Sequence, residues 1–215
     1  MKSYFASDMH IGLEDSNYAA IMQFFELVRT DADELILLGD TLELWTNTFD
    51  NIKSKEPYKS AYESLLKTAE TVQTIVVCGN HDYKLRDFIK CPNIIIKDRF
   101  DRNKCRFMHG WEFDALQQVA HPYFELIMEV FPYIYQKYFY KPPAGYALAL
   151  DQNDIINTIA VEYALKKGYS HIIFGHTHEP MIKGSLLNCG DFVTHASYII
   201  VKDGVAELWD LNKRP

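Results

Sequence analysis

"IIFGHTHEP", residues 172–180, is an apolar run that breaks at Gly175 and leads straight into two histidines one residue apart. A short apolar run bounded by a turn residue reads as a buried strand. Imidazole nitrogen is the commonest side-chain metal ligand. A strand that delivers His176 and His178 at its carboxyl end therefore predicts a metal at the edge of a sheet. A metal needs more than two ligands, so the rest of the chain has to supply them.

The same arrangement recurs four times upstream. "SYFAS" runs out into Asp8-Met9-His10, and "ELILL" into Gly39-Asp40 with Glu43 three residues on. "TIVVC" is followed by Gly79-Asn80-His81-Asp82, and the segment "CRFM" by His109-Gly110. Glycines at 39, 79, 110 and 175 let the backbone turn and approach closely where a Cβ would clash. Each motif is weak alone, but five strand ends carrying Asp, Asn or His form a constellation. In open α/β sheets the crevice at the carboxyl ends of the strands is where ligands bind.

Between these runs lie helical patterns. "NYAAIMQFFELVR" places apolar residues at 20, 21, 24, 25, 27 and 28, and "PYKSAYESLLKTAE" places them at 58, 61, 62, 65, 66 and 69. "NIIIK" reads as a fourth strand, and strand alternating with helix indicates an α/β core. The last third differs. "DIINTIAVEYALKKG" reads as a helix closed by Gly168, and "HIIF", "SLLNCG", "ASYIIV" and "VAELWD" follow as closely spaced strands. "KDG" between the last two is a hairpin turn.

The pattern predicts two packed β-sheets flanked by helices, a four-layer α-β-β-α sandwich, in a single domain over 1–215. A small helical insert is expected at about 111–150, carrying eleven aromatic residues from Trp111 to Tyr146 and divided by Pro122, Pro132 and the Pro142-Pro143 pair. Three readings of those aromatics stay open: the core of a small cap, a homodimer interface, or a groove for an apolar or lipid-linked substrate.

A net charge of −7 argues against a broad cationic surface for extended nucleic acid. Four cysteines without a CxxC pair point to a reducing, cytoplasmic setting. The start, "MKSYFASDMH", turns polar too soon for a signal peptide. No apolar run of about 18 residues predicts a transmembrane segment.

The candidate ligands are two carboxylates, one amide and four histidines: Asp8, His10, Asp40, Asn80, His109, His176 and His178. Such oxygen and nitrogen donors suit Mn, Fe, Zn, Co or Ni rather than a thiolate-rich structural zinc. Seven are too many for one ion that must also hold substrate, so two divalent ions sharing a carboxylate fit better.

The series "DMH … GDTLE … GNHD … H … GHTH" resembles the calcineurin-like metallophosphoesterase family, with all five blocks in order over residues 8 to 178. The resemblance implies a β-sandwich between helices and two metal ions, for which the mixed oxygen and nitrogen donors favour Mn²⁺. One ion would be held by Asp8, His10, Asp40 and His178. The other would be held by Asp40, Asn80, His109 and His176, with Asp40 bridging. It also implies hydrolysis of a phosphomonoester, phosphodiester or pyrophosphate bond in a small anionic substrate by a metal-bound hydroxide. His81 would meet the substrate as general acid, and Glu43 would orient it. The place of the insert, and Glu43, resemble the subgroup containing UDP-2,3-diacylglucosamine hydrolases; His81 and Trp111 depart from it, standing where those enzymes have arginine and aspartate. A non-catalytic binding scaffold of the same fold is the alternative from another class, and a DNA repair nuclease of the same family fits the site better than the charge or length. His121, His171 and His195 are assigned to structure or surface, and Asp82 to a turn.

Overall fold

The computed structural model describes residues 1–115, 117–118 and 150–213. Six strands form one sheet in the order β11-β10-β1-β2-β3-β4. These are β1 (Lys2–Ala6), β2 (Glu34–Leu38), β3 (Gln73–Val77), β4 (Ile94–Lys97), β10 (Ser197–Lys202) and β11 (Val205–Asp210). Five strands form the second sheet in the order β5-β6-β7-β9-β8: β5 (Phe100–Arg102), β6 (Cys105–Phe107), β7 (His171–Phe174), β8 (Met181–Lys183) and β9 (Leu186–Asn188).

Side chains of alternate residues on a strand face opposite ways, and here that alternation builds three apolar layers. Tyr4, Ala6, Leu35, Leu37 and Val76 face α1 (Tyr18–Asp31) and α3 (Tyr58–Thr71). Their neighbours Phe5, Ile36, Leu38, Ile75 and Val77 meet Phe107, Ile173 and Leu187 of the second sheet. Ile172 and Phe174 face outward, where Ile156, Ala160 and Ala164 of α5 (Leu150–Lys167) cover them. The result is the expected α-β-β-α sandwich. Burying each such aliphatic side chain stabilises the fold by roughly 1.5–3 kcal/mol, and β2 is buried along its whole length.

Local signals match the elements. The Asn17 side chain accepts from Ala20 N–H at the start of α1, and Thr48 does the same for Asn51 at the start of α2 (Phe49–Ser54). Gly168 follows α5 at φ 72°, as a left-handed C′ residue requires. The hairpin between β10 and β11 turns at Asp203 (φ 52°) and Gly204 (φ 81°), two positive values as in a type I′ turn. Among the described helices and strands, α2, β5, β8 and α4 (Leu85–Phe88) have no counterpart in the sequence reading, nor does the 3₁₀ turn Leu211–Lys213. Each has six residues or fewer, too short for a period to emerge, and the β5–β6 turn uses Asn103 and Lys104 rather than glycine.

β1, β2 and β3 are parallel neighbours, as are β6 and β7. Their carboxyl ends meet on one edge of the sandwich, where the amide of Gly175 donates to the carbonyl of His109 (2.9 Å) and that of Asp8 to Gly39 (3.1 Å). On β2 and β5, Arg102 grips the buried Glu34 through two bonds of 2.7 and 2.9 Å, joining the two sheets. The insert expected at about 111–150 lies mostly outside the described residues; its described start is a 3₁₀ turn over Trp111–Phe113. Among the described residues no helix is long and apolar enough to cross a membrane.

Candidate metal centre

Five of the seven expected ligands hold a left-handed backbone: Asp8 (φ 52°), His10 (45°), Asp40 (49°), His176 (67°) and His178 (60°). Non-glycine residues are uncommon there, and such conformations cost of order 1–3 kcal/mol each unless the surroundings impose them. Here the loops impose them. His10 N–H donates to the Asp40 carbonyl (2.9 Å) and Ile11 N–H to Thr41 (3.0 Å), stitching the loop after β1 to the loop after β2. Two glycines permit the closest approaches. A Cβ on Gly79 would lie 2.1 Å from Asp40 Oδ1, and one on Gly175 would lie 1.7 Å from Ser7 Oγ and 2.3 Å from Asp8 Oδ2.

The functional groups converge. Asp40 Oδ2 lies 3.2 Å from His109 Nε2 and 3.8 Å from His10 Nε2, between the two rings. Asp8 Oδ1 lies 3.3 Å from His178 Nε2 and 3.9 Å from both His10 Nε2 and His109 Nε2. Among the described residues three groups of potential ligand atoms, each within 4.8 Å, result: Asp8, His10 and His178; His10, Asp40 and His81; Asp8, Asp40 and His109. Asn80 joins through its Oδ1, 3.1 Å from His109 Nε2. His176 stands beside His109, ring centroids 5.2 Å apart, with its Nε2 turned to Asp114.

Each expected histidine ligand is braced on one ring nitrogen by an acceptor. His10 Nδ1 meets Glu43 Oε2 at 2.9 Å, and His109 Nδ1 the Leu38 carbonyl at 2.7 Å. His178 Nδ1 meets Asp191 Oδ2 at 2.8 Å, and His176 Nε2 meets Asp114 Oδ2 at 3.2 Å. Bracing of this kind sets tautomer and orientation in metal-binding imidazoles. His81 is held alike, its Nδ1 also 2.9 Å from Glu43 Oε2, with Trp45 stacked on its ring at 4.1 Å.

The electrostatics call for positive charge. Burial opposes charging His109, but the Asp40 and Asp8 carboxylates beside it push its pKa up to about 10. Burial likewise opposes a charged His81, and Glu43 and Asp40 raise it to about 9. Asp40 is held well below the usual carboxylate range; burial works against this, and His109 and His81 outweigh it. His176 goes the other way, lowered by burial against the pull of Asp114. Asp8 Oδ1 is buried with no hydrogen-bond partner among the described residues, while Oδ2 takes both the Ser7 hydroxyl and the His176 N–H. A buried, orphaned carboxylate oxygen among imidazole nitrogens is a place for a cation. The donor set, oxygen and nitrogen without thiolate, fits a divalent transition ion.

The family model described as calcineurin-like phosphoesterase matches residues 1–180. The chain belongs to that family. Among solved structures, Yfce, a phosphoesterase from E. coli, is 22% identical with a TM-score of 0.51, the match covering 100% of this chain and 96% of that one. A metallophosphoesterase from Sphaerobacter thermophilus is 14% identical with a TM-score of 0.45, covering 100% and 90% of the two chains. At these identities the first likeness shows the fold alone. A comparison with curated proteins found no match.

Three residues of this phosphoesterase that the sequence reading left aside belong to the site. Asp82, assigned to a turn, is fully buried and accepts four backbone amides: Gly79 (2.6 Å) and Asp40 (3.3 Å) on Oδ1, Thr41 (2.8 Å) and Leu42 (3.2 Å) on Oδ2. It ties the loops after β2 and β3 together. Asp191 had a signal: "LLNCGD" is a further apolar strand running out into Gly-Asp. Asp114 had none, since it follows a three-residue turn and reaches His176 only through the tertiary fold.

Proposed function

We propose that this phosphoesterase holds two divalent cations, Mn²⁺ giving the best activity, and hydrolyses a phosphomonoester, phosphodiester or pyrophosphate bond of a small anionic substrate. The observation that carries the reading is the place of Asp40, whose Oδ2 lies between His10 and His109 where a shared ligand would stand. Asp8, His10, Asp40 and His178 would hold one cation, and Asp40, Asn80, His109 and His176 the other. Bound divalent cations supply an acidified water as nucleophile and neutralise charge on the phosphoryl oxygens.

The chain's own groups do the rest. His81 follows Asn80 directly and is partly open to solvent, so it can reach a bound substrate. Glu43 Oε2 holds its Nδ1, which leaves Nε2 free to carry a proton to the departing oxygen. Glu43 is itself fixed by the amides of Trp45 (3.2 Å) and Thr46 (3.0 Å) on Oε1. Its carboxylate favours the imidazolium as a neighbouring opposite charge does. The insert after His109 would select the substrate.

The test is a screen of chelator-stripped protein reconstituted with Mn²⁺, Zn²⁺, Co²⁺ or Ni²⁺. Substrates would be p-nitrophenyl phosphate, bis-p-nitrophenyl phosphate and nucleoside diphosphate sugars. Hydrolysis restored by metal, best by Mn²⁺, is expected. Hydrolysis that persists when elemental analysis finds no metal would sink the reading.

A further inference from the structure

His176 and His178 sit two residues apart on one loop, yet their rings are braced on different nitrogens. His176 contacts Asp114 through Nε2, and His178 contacts Asp191 through Nδ1. An ionised carboxylate only accepts, and a neutral imidazole has one N–H and one lone pair. The contact therefore assigns the proton to the braced nitrogen and the lone pair to the other. His176 is left with Nδ1 as its donor atom and His178 with Nε2, the atom 3.3 Å from Asp8 Oδ1.

We infer that Asp114 and Asp191 are positioning residues which make the histidine pair present opposite ring nitrogens, so that one loop serves both cations. This rests on the two-cation reading proposed above. Both histidines hold left-handed positions in the turn after β7, separated by Thr177. Ligation through different nitrogens points their lone pairs along different directions, and the bracing carboxylates select which.

Both carboxylates come from elements independent of the loop and are immobilised. Asp191 follows β9, is fully buried, and receives the amides of Thr194 (2.9 Å) and His195 (2.8 Å) on Oδ1. Asp114 follows the Trp111–Phe113 turn, is buried, and receives the amide of Gln117 on Oδ1 at 3.2 Å. The loop between the histidines is held as well. Thr177 N–H donates to the Gly175 carbonyl (2.8 Å), and its hydroxyl accepts from Asn188 Nδ2 (2.7 Å). With the backbone and both acceptors fixed, the ring orientations are fixed too.

The experiment reads ring nitrogens directly. In ¹⁵N-histidine-labelled full-length protein, two-bond ¹H–¹⁵N correlations report which nitrogen bears the proton and, after zinc loading, which binds metal. In metal-free protein above the imidazole pKa values, His176 should be protonated on Nε2 and His178 on Nδ1. With zinc, His176 should coordinate through Nδ1 and His178 through Nε2. In Asp114→Asn and Asp191→Asn, chelator competition should show one zinc weakened by about 10–100-fold and the other nearly unchanged, a different one in each variant. Zinc bound through the same nitrogen of both rings would overturn the inference, as would equal weakening of both ions by each variant. The wild-type spectra decide the point if a variant fails to fold. Correct tautomers in a protein that takes up no zinc would instead sink the cation-centre reading, and the inference with it.

Discussion

Replacing Asp82 by Asn keeps the size of the side chain and removes one acceptor oxygen from a group that serves four backbone amides. Whichever way the new amide turns, its NH₂ faces two N–H donors: Gly79 and Asp40, or Thr41 and Leu42. A buried donor left without a partner costs about 1–3 kcal/mol, so two cost about 2–6 kcal/mol. Part is returned, because burial and the Asp40 carboxylate raise the pKa of Asp82 and so disfavour its charge. The net loss should be about 3 kcal/mol, a factor of roughly 100 in the folded-to-unfolded ratio. For a domain of this size that lowers Tm by about 6–12 °C. The assay is urea and thermal unfolding of metal-free protein. Asp98→Asn is the control: that residue is exposed, pairs with Arg86, and should change stability by less than about 0.5 kcal/mol. A change that small in Asp82→Asn would refute the idea that this carboxylate holds the two loops in place.

Other outcomes follow from the same geometry. Gly175→Ala places a Cβ 1.7 Å from Ser7 Oγ and 2.3 Å from Asp8 Oδ2, and should destabilise by about 3 kcal/mol or more while lowering metal content; adding Ser7→Gly should recover part of the Tm. Asp40→Asn should deplete both cations, and elemental analysis showing two ions still bound would refute the shared ligand. His109, pushed up to about 10, carries a proton in the metal-free site near neutrality, so zinc uptake should release protons, measured calorimetrically in buffers of different ionisation enthalpy. By the same linkage, metal-free protein gains most from His109 below its ordinary pKa of 6.5 and loses that stability as pH rises through about 10; a flat stability profile over this window would contradict it. His81→Ala should slow alkyl phosphate esters by ~10²–10⁴-fold and p-nitrophenyl esters far less; equal losses with metals bound would make His81 a substrate-positioning residue.

The sandwich and the convergence of the candidate side chains were legible because both rest on local rules. A buried strand shows as an apolar run, an amphipathic helix as a period, and a chain that turns at a sheet edge as a glycine. In this sequence the residues after those runs were Asp, Asn and His five times over, and parallel neighbours such as β1, β2 and β3 bring such ends together. What the linear order does not carry is direction in space. The left-handed backbone at Asp8, His10, Asp40, His176 and His178 is imposed by neighbouring loops, not by residue type. Asp114 reaches His176 across 62 positions, and Asp82 serves amides about 40 positions away. A hydrogen bond requires an acceptor within about 3 Å of a particular atom, and only packing the two sheets and their helices together sets that distance. Strand ends could be read from the chain; the ring nitrogen each histidine presents was decided by the tertiary fold.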